Sequence, residues 1–263
     1  MTPALSQPFD VRLMNVTASL LFTVVGVVLL AAALTWALRN PAFALGGITV
    51  QGDVVHNSPA TLRANVAPRL AGNFFTVSLQ ATREAFESVP WVRQAVVRRE
   101  FPNRLRVQLQ EHQAVAFWVG EGNADMRLVN SFGEVFEANA GDVEQDNLPR
   151  LKGPEGQSLP ALHLYGALKP LFEPLDLAID QLSVSAHGSW SAELDSGAVL
   201  ELGRGSEQEV LERTRRFVQT LTQVTSRYSR RADGVLSADL RHGDGYALRL
   251  KGVTTGAEAP KKN

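Results

Sequence analysis

The period of apolar and polar positions changes along the chain, and each change marks an element. From Leu13 to Leu38 the run LMNVTASLLFTVVGVVLLAAALTWAL holds no charged residue. A helix over it is about 39 Å long at a rise of 1.5 Å per residue, enough to cross a hydrocarbon core of ~30 Å with some tilt. Trp36 stands near its end, where interfacial aromatics collect. A cleaved signal peptide is the competing reading. Its apolar region usually spans only about 7–15 residues, and no small-x-small site followed by a polar start is found here, so an uncleaved span over 13–38 is expected.

After a linker at 39–44, where Pro41 ends the helix, shorter periods take over. GITVQGD reads as a strand closed by a Gly-Asp turn. Ser58-Pro59 opens a helix, with Ser as N-cap and Pro in the first turn. A second helix runs from Leu79 to Ser88, capped by Ser78, with Leu79, Phe86 and Val89 near helical spacing; Pro90 stops it. Then VPWVRQAVVRREFPNRLRVQLQE forms a hairpin about Phe101-Pro102-Asn103. Leu105, Val107 and Leu109 alternate with Arg106, Gln108 and Gln110, the period of a strand with one buried face. The unit at 45–112 is β-α-α-β-β.

From 113 to 252 the pattern is mostly short strands: AVAFWV, MRLVN, EVFEA, LSVSA, SWSAEL, AVLELG, then Val235–Arg241 and Tyr246–Lys251. Turns at Ser131-Phe132-Gly133 and Asp195-Ser196-Gly197 join neighbours. One helix is expected over Ser158–Phe172. A second follows Ser206, which forms a capping box with Glu209; Val210, Phe217, Leu221, Val224 and Tyr228 should line its buried face. The last stretch, 253–263, reads as a disordered tail. The fold class expected is α+β: one N-terminal transmembrane helix, the β-α-α-β-β unit, and a mainly antiparallel β domain with two helices.

Composition narrows the function. Basic and acidic residues number 26 and 27, without the basic excess of a nucleic-acid-binding domain. Cysteine is absent, which removes thiolate catalysis, Cys-ligated zinc and disulfides. The five histidines are scattered, with no metal-site spacing, and no GxSxG elbow is present. LGRGSEQE has parts of a phosphate cradle. Gln208 occupies the place of its third glycine, so it reads as a tight strand-to-helix turn. No cofactor, metal, nucleic acid or small-molecule substrate is expected.

The basic hairpin carries Arg93, Arg98, Arg99, Arg104 and Arg106. These are the solvated face of half-buried strands, or a surface for another protein. Nucleic-acid grip needs interleaved aromatics, whereas Trp91 and Phe101 sit at strand ends, where they would cap a core.

These stretches, in this order, resemble the FtsQ/DivIB family of bacterial cell-division proteins. The residues that carry the resemblance in the hairpin are Pro90, Trp91, Val92, Ala95, Val97, Arg98, Phe101, Pro102, Leu105, Val107, Glu111, Ala116 and Trp118, with Arg99 beside them. LVNSFGEVF, LPRLKGPEG, LELGRGSEQEVLERTRRF and ADLRHGDGYAL continue it. The resemblance implies a POTRA domain at 45–112 and a family-type β domain at 113–252. It also implies a non-enzymatic, single-pass inner-membrane scaffold of the divisome, with residues 1–12 cytoplasmic and the body periplasmic, enriched at the septum. The implied partners are FtsB and FtsL, bound through the C-terminal β domain; FtsK, FtsW and FtsI are further divisome contacts.

The residues themselves suggest how a partner could bind. If Tyr246–Lys251 is a terminal edge strand, its outer backbone groups form a template for strand addition. Tyr246, Leu248 and Leu250 would form one face, with Arg249 and Lys251 on the other. Arg241, His242 and Gly245 precede it; His242 stands where many relatives carry Tyr. The alternative classes are a POTRA-containing assembly factor that handles β-strand substrates and an anchored periplasmic hydrolase. The first would need repeated units and a barrel; the second would need a convergent polar site.

Overall fold

The computed structural model describes residues 9–38, 40–52, 54–120, 126–139, 141–143, 147–243 and 245–253. Of the expected cytoplasmic tail 1–12, residues 1–8 lie outside them and 9–12 belong to a helix; of the expected disordered tail 253–263, residues 254–263 lie outside them and Val253 packs against the core. Two compact units divide at Glu111/His112.

The first unit opens with α1, Phe9–Leu38. This helix starts before Leu13, so Asp10 and Arg12 join its first turn. None of its apolar window is buried in protein, and it is long and apolar enough to span a bilayer. Asn40 caps a short 3-10 turn at Pro41–Phe43 by accepting from the Ala42 N–H, which confirms Pro41 as the break.

A three-stranded sheet follows, ordered β1-β3-β2, from β1 (Gly47–Gly52), β2 (Val92–Glu100) and β3 (Arg104–Glu111). β1 runs parallel to β3 and β2 antiparallel. Leu105, Val107 and Leu109 are buried and their neighbours exposed, as the alternation requires. Helices α2 (Pro59–Val66) and α3 (Leu79–Glu87) begin at the Ser58 and Ser78 caps. Leu62, Val66, Ala85 and Phe86 pack against the sheet's apolar face. Leu79 is only half-buried; Thr82 holds the inward place.

The second unit is built on a nine-stranded sheet, ordered β12-β11-β10-β9-β8-β7-β4-β5-β6. Its strands are β4 (Ala114–Val119), β5 (Arg127–Asn130), β6 (Val135–Phe136), β7 (Arg150–Lys152), β8 (Ile179–Val184), β9 (Trp190–Leu194), β10 (Val199–Gly203), β11 (Val235–Asp239) and β12 (Ala247–Leu250). Parallel pairs join β4–β7, β7–β8 and β10–β11; the others are antiparallel. β7 was not expected: three residues are too few to show a period, yet Leu151 is fully buried between two parallel neighbours.

Helices α4 (Ser158–Phe172) and α5 (Glu207–Arg227) cover the sheet. Leu164, Leu168 and Phe172 from α4 meet Val210, Phe217 and Leu221 from α5 in one core with Trp118 and Leu182. The Ser206–Glu209 capping box is present. One expectation is corrected. Tyr228 is half exposed and lies at the C-cap, and Val224 is half-buried; Thr214 and Thr225 occupy the inner face instead. The Thr214 hydroxyl donates back to the Val210 carbonyl at 2.8 Å, which lets a polar side chain sit there without an unmet hydrogen bond.

The turn in LVNSFGEVF has a local cause. Buried Asn130 accepts from the N–H groups of Phe132 and Glu134 at 2.9 Å each. Gly133 has φ +77°, and a side chain there would strike Leu159 at the start of α4. Ser158 donates to the Gly133 carbonyl at 2.7 Å, tying the turn to the helix.

In the first unit Glu111 does comparable work. Its side chain is 5% exposed. One oxygen accepts from the N–H groups of Val55 and His56 at 3.0 Å and lies 3.1 Å from His56 Nδ1. The other accepts from Asn57 N–H at 3.2 Å and its amide at 3.1 Å. Burial pushes this carboxyl up, but the donors of His56, Asn57 and Val55 outweigh it and hold it below its ordinary 4.5. A depressed carboxylate stabilises the fold above its unfolded value, and that contribution is lost as pH falls through the folded value. Glu111→Gln therefore should lower the stability of this unit by about 2 kcal/mol near neutral pH. In urea denaturation of the detergent-solubilised chain, the gap from the parent should narrow on acidification below the ordinary carboxylate range.

Candidate partner-binding edge

β12 is the last strand of the nine-stranded sheet and pairs with β11 alone. The register sets Ala247 against Asp239, Leu248 against Ala238 and Arg249 against Ser237, with an irregularity between Val235 and Ser237. Lys251 N–H donates to the Gly234 carbonyl at 2.9 Å, so Lys251 turns its backbone inward. Alternation then sends the backbone groups of Leu248 and the N–H of Leu250 to the open side, while the Leu250 carbonyl accepts from the Val253 N–H at 3.3 Å. No strand lies beyond β12 among the described residues.

The side chains alternate as the sequence suggests. Leu250 is 5% exposed, Leu248 and Tyr246 are half-buried on the core, and Arg249 and Lys251 are exposed. The apolar face therefore belongs to the protein's own core. A partner would meet Leu250 through its backbone, not its side chain. Tyr246 sets its ring edge-on to Phe217 at 5.0 Å, and its hydroxyl lies 2.8 Å from that of Thr220.

Both flanks of the strand are pinned. Arg216 donates to the Gly243 carbonyl at 3.2 Å, which holds the loop before β12 to α5. Arg230 Nε donates to the Lys251 carbonyl at 3.0 Å at the far end.

Arg241 is clasped by Asp239. Its Nε and Nη2 donate to the two carboxylate oxygens at 2.9 and 2.6 Å, and its N–H donates to Oδ1 at 3.0 Å. This backbone bond also explains why β11 ends at Asp239 rather than Arg241: the carboxylate takes the place of a ladder acceptor. The Arg241 hydrogen bonds hold the Asp239 carboxyl at about 2. The aliphatic stem of Arg241 packs over Gly203, whose φ is +81°; a side chain there would strike Arg241 Cγ. The GRG turn therefore seats Arg241 under backbone constraint. His242 and Gly245 are exposed. A cavity of about 190 Å³ lies behind this loop, lined by Arg213, Arg216, Thr220, Leu240, His242, Gly245 and Tyr246.

The structure thus gathers Arg241, His242, Gly245, Tyr246, Leu248, Arg249, Leu250 and Lys251 along one edge. Sequence reasoning missed Asp239, Arg216, Arg230 and Thr220, which position them. Only the spacing of Asp239 and Arg241, two apart and able to meet across a turn, was a visible signal.

The POTRA-motif residues lie in the first unit with different roles. Trp91 is buried at φ +70° and stacked on His56 with centroids 3.9 Å apart. Pro90 is exposed, but its carbonyl accepts from the Asn57 amide at 2.9 Å. Val92 is core. Arg98 and Pro102 are exposed. Arg99 Nε donates to the Phe74 carbonyl at 2.7 Å and its Nη2 to that of Val77 at 2.8 Å, so it is a staple and not a free contact. Phe101 does not cap the core: it is 77% exposed at the hairpin tip. Arg106 pairs with Glu100.

A cavity of about 530 Å³ lies between β1 and α2. Ile48, Val50, Leu62, Val66 and Phe86 line it, with Arg63 and Asn57 as its polar members. Among the described residues no cluster of three His, Asp or Glu residues could hold a metal.

The family model of the FtsQ/DivIB cell-division protein C-terminal region matches residues 116–241, and that of the FtsQ-type POTRA domain matches residues 43–112. Cell division protein FtsQ of Thiomonas arsenitoxydans is 38% identical over 247 residues, covering 94% of this chain and 89% of that protein. FtsQ of Burkholderia pseudomallei is 38% identical, covering 93% and 94%, and that of Bordetella pertussis 36%, covering 92% of each. With the three-stranded and nine-stranded units matching in order behind an apolar N-terminal helix, the chain belongs to the FtsQ/DivIB family of cell-division proteins.

Proposed function

We propose that this chain is a bitopic, non-enzymatic scaffold of the bacterial division machinery. In this reading α1 crosses the inner membrane with the N-terminus in the cytoplasm. The POTRA unit at 45–112 and the β domain at 113–252 stand in the periplasm, and β12 accepts a strand from FtsB, with FtsL bound alongside. The observation that carries the reading is the edge itself: β12 is paired on one side and pinned at both ends. A held strand spares part of the ordering cost of strand addition. Arg249 and Lys251 give it exposed positive charge, which suits an acidic partner segment and discourages pairing between copies.

Removing Tyr246–Asn263 should abolish capture of FtsB and leave membrane insertion intact. That deletion also uncovers the core under Leu250, so surface variants are the sharper test. Arg249→Glu with Lys251→Glu should weaken co-purification of FtsB about ten-fold or more without moving the thermal midpoint. Capture at the parent level would overturn the edge reading. Asp239→Asn should weaken capture by a smaller factor, because Arg241 loses its clasp. Asp239 is depressed, so the clasp is complete above its ordinary 3.8 and is lost only as pH falls through about 2. Capture should therefore show no Asp239-dependent change across neutral and mildly acidic pH. A fluorescent fusion should form a midcell band in dividing cells; a uniform envelope signal would count against the divisome role.

A further inference from the structure

The membrane-proximal end of the POTRA unit carries exposed aromatics that the partner-binding edge does not use. The chain leaves α1 at Leu38 and reaches Phe43 five residues later, a span of at most ~17 Å. Phe43 meets Phe75 edge-on at 4.9 Å; Phe75 meets Phe74 at 5.2 Å, and Phe74 meets Phe101 at 6.3 Å. Phe74 is buried, but Phe75 is 47% and Phe101 77% exposed.

Topology puts this group at one end of the sheet. Gly46 N–H donates to the Asn103 carbonyl at 2.9 Å, and Gly47 pairs with Arg104. The β2–β3 turn therefore stands where the chain enters from α1. The opposite end, at Val55 and Glu111, is about 25 Å away along β3. The Phe75 loop is built to hold its shape: Asn73 Oδ1 accepts from the Phe75 and Thr76 N–H groups at 3.0 Å, and Arg99 binds the carbonyls of Phe74 and Val77. Arginines are denser in the half of the sheet near this turn. On the face away from the helices, Arg98, Arg104 and Arg106 occupy that half, with Glu100 paired to Arg106, whereas Gln94, Gln108 and Gln110 occupy the far half, where Arg93 donates to Gln110 at 3.2 Å.

We propose that Phe75 and Phe101 dock on the bilayer surface from which α1 emerges, with Arg98 over anionic headgroups. Aromatic side chains settle at that interface, and basic side chains add attraction to anionic lipid. The short tether presents the patch to lipid first. The inference rests on α1 spanning the membrane.

The chain has no cysteine, so single cysteines label cleanly. Ala71→Cys and Arg104→Cys flank the patch, and Val55→Cys, at the far end and 82% exposed, is the reference. The full chain is reconstituted in vesicles of phosphatidylethanolamine and phosphatidylglycerol, and each site carries a fluorophore. Shallow nitroxide-labelled lipid should quench sites 71 and 104 about two-fold or more beyond site 55. Adding Phe75→Ser and Phe101→Ser should abolish the difference while urea denaturation keeps a cooperative transition, its midpoint lowered only by the lost ring contacts. Equal quenching at all three sites overturns the docking, as does quenching that survives the double substitution. Vesicle flotation is scored separately: protein that floats without selective quenching refutes the docking alone, and protein that does not float refutes the membrane span and the docking together.

Discussion

Among the described residues β12 has a strand neighbour on one side only, and a strand so placed turns part of its backbone polar groups away from its own sheet. Its position follows from the order in which the chain lays down the second sheet. β10 and β11 are parallel and need α5 as the crossover, and β12 then adds to β11 as an antiparallel neighbour. Once there, β12 is kept from fraying by groups outside the sheet: Arg216 at its entrance, Arg230 at its exit, and the Tyr246 ring against Phe217. Among the described residues the margin is therefore both unpaired on its outer side and held in place.

Carboxylates organise both units. Glu111 gathers three consecutive backbone N–H groups at the end of the first, and Asp239 fixes a guanidinium and a backbone N–H in the second. Both are held below their ordinary values by the donors around them, although burial opposes this most strongly at Glu111. Each joins segments that regular ladders leave unconnected. At Glu111 these lie more than fifty positions apart in sequence; at Asp239 they adjoin the edge strand.

What the sequence showed plainly was local and periodic. Alternation at Leu105, Val107 and Leu109, serine caps at 58, 78 and 206, and the apolar run through α1 all depend on neighbours a few residues away. What it hid depends on distant partners. β7 is only three residues long, and the sheet recruits it between β4 and β8. Tyr228 fits the helical period of α5 but falls at the cap, where no core remains beneath it. Phe101 has the composition of a core residue and lies outside because the turn carries it past the sheet. At the edge, the residues that could face a partner were legible, while Asp239 and Arg216, which hold them, were legible only in part or not at all.

The parallel pairing of β1 with β3 has a mechanical consequence. Tension on the chain enters the first unit at the start of β1, from α1, and leaves at the end of β3, toward the second unit. Because the two strands run the same way from Gly47/Arg104 to Gly52/Leu109, such a load slides one strand along the other and falls on all their hydrogen bonds together. Peeling would break them one at a time. A domain wired in this way resists extension between the two points where the chain enters and leaves it.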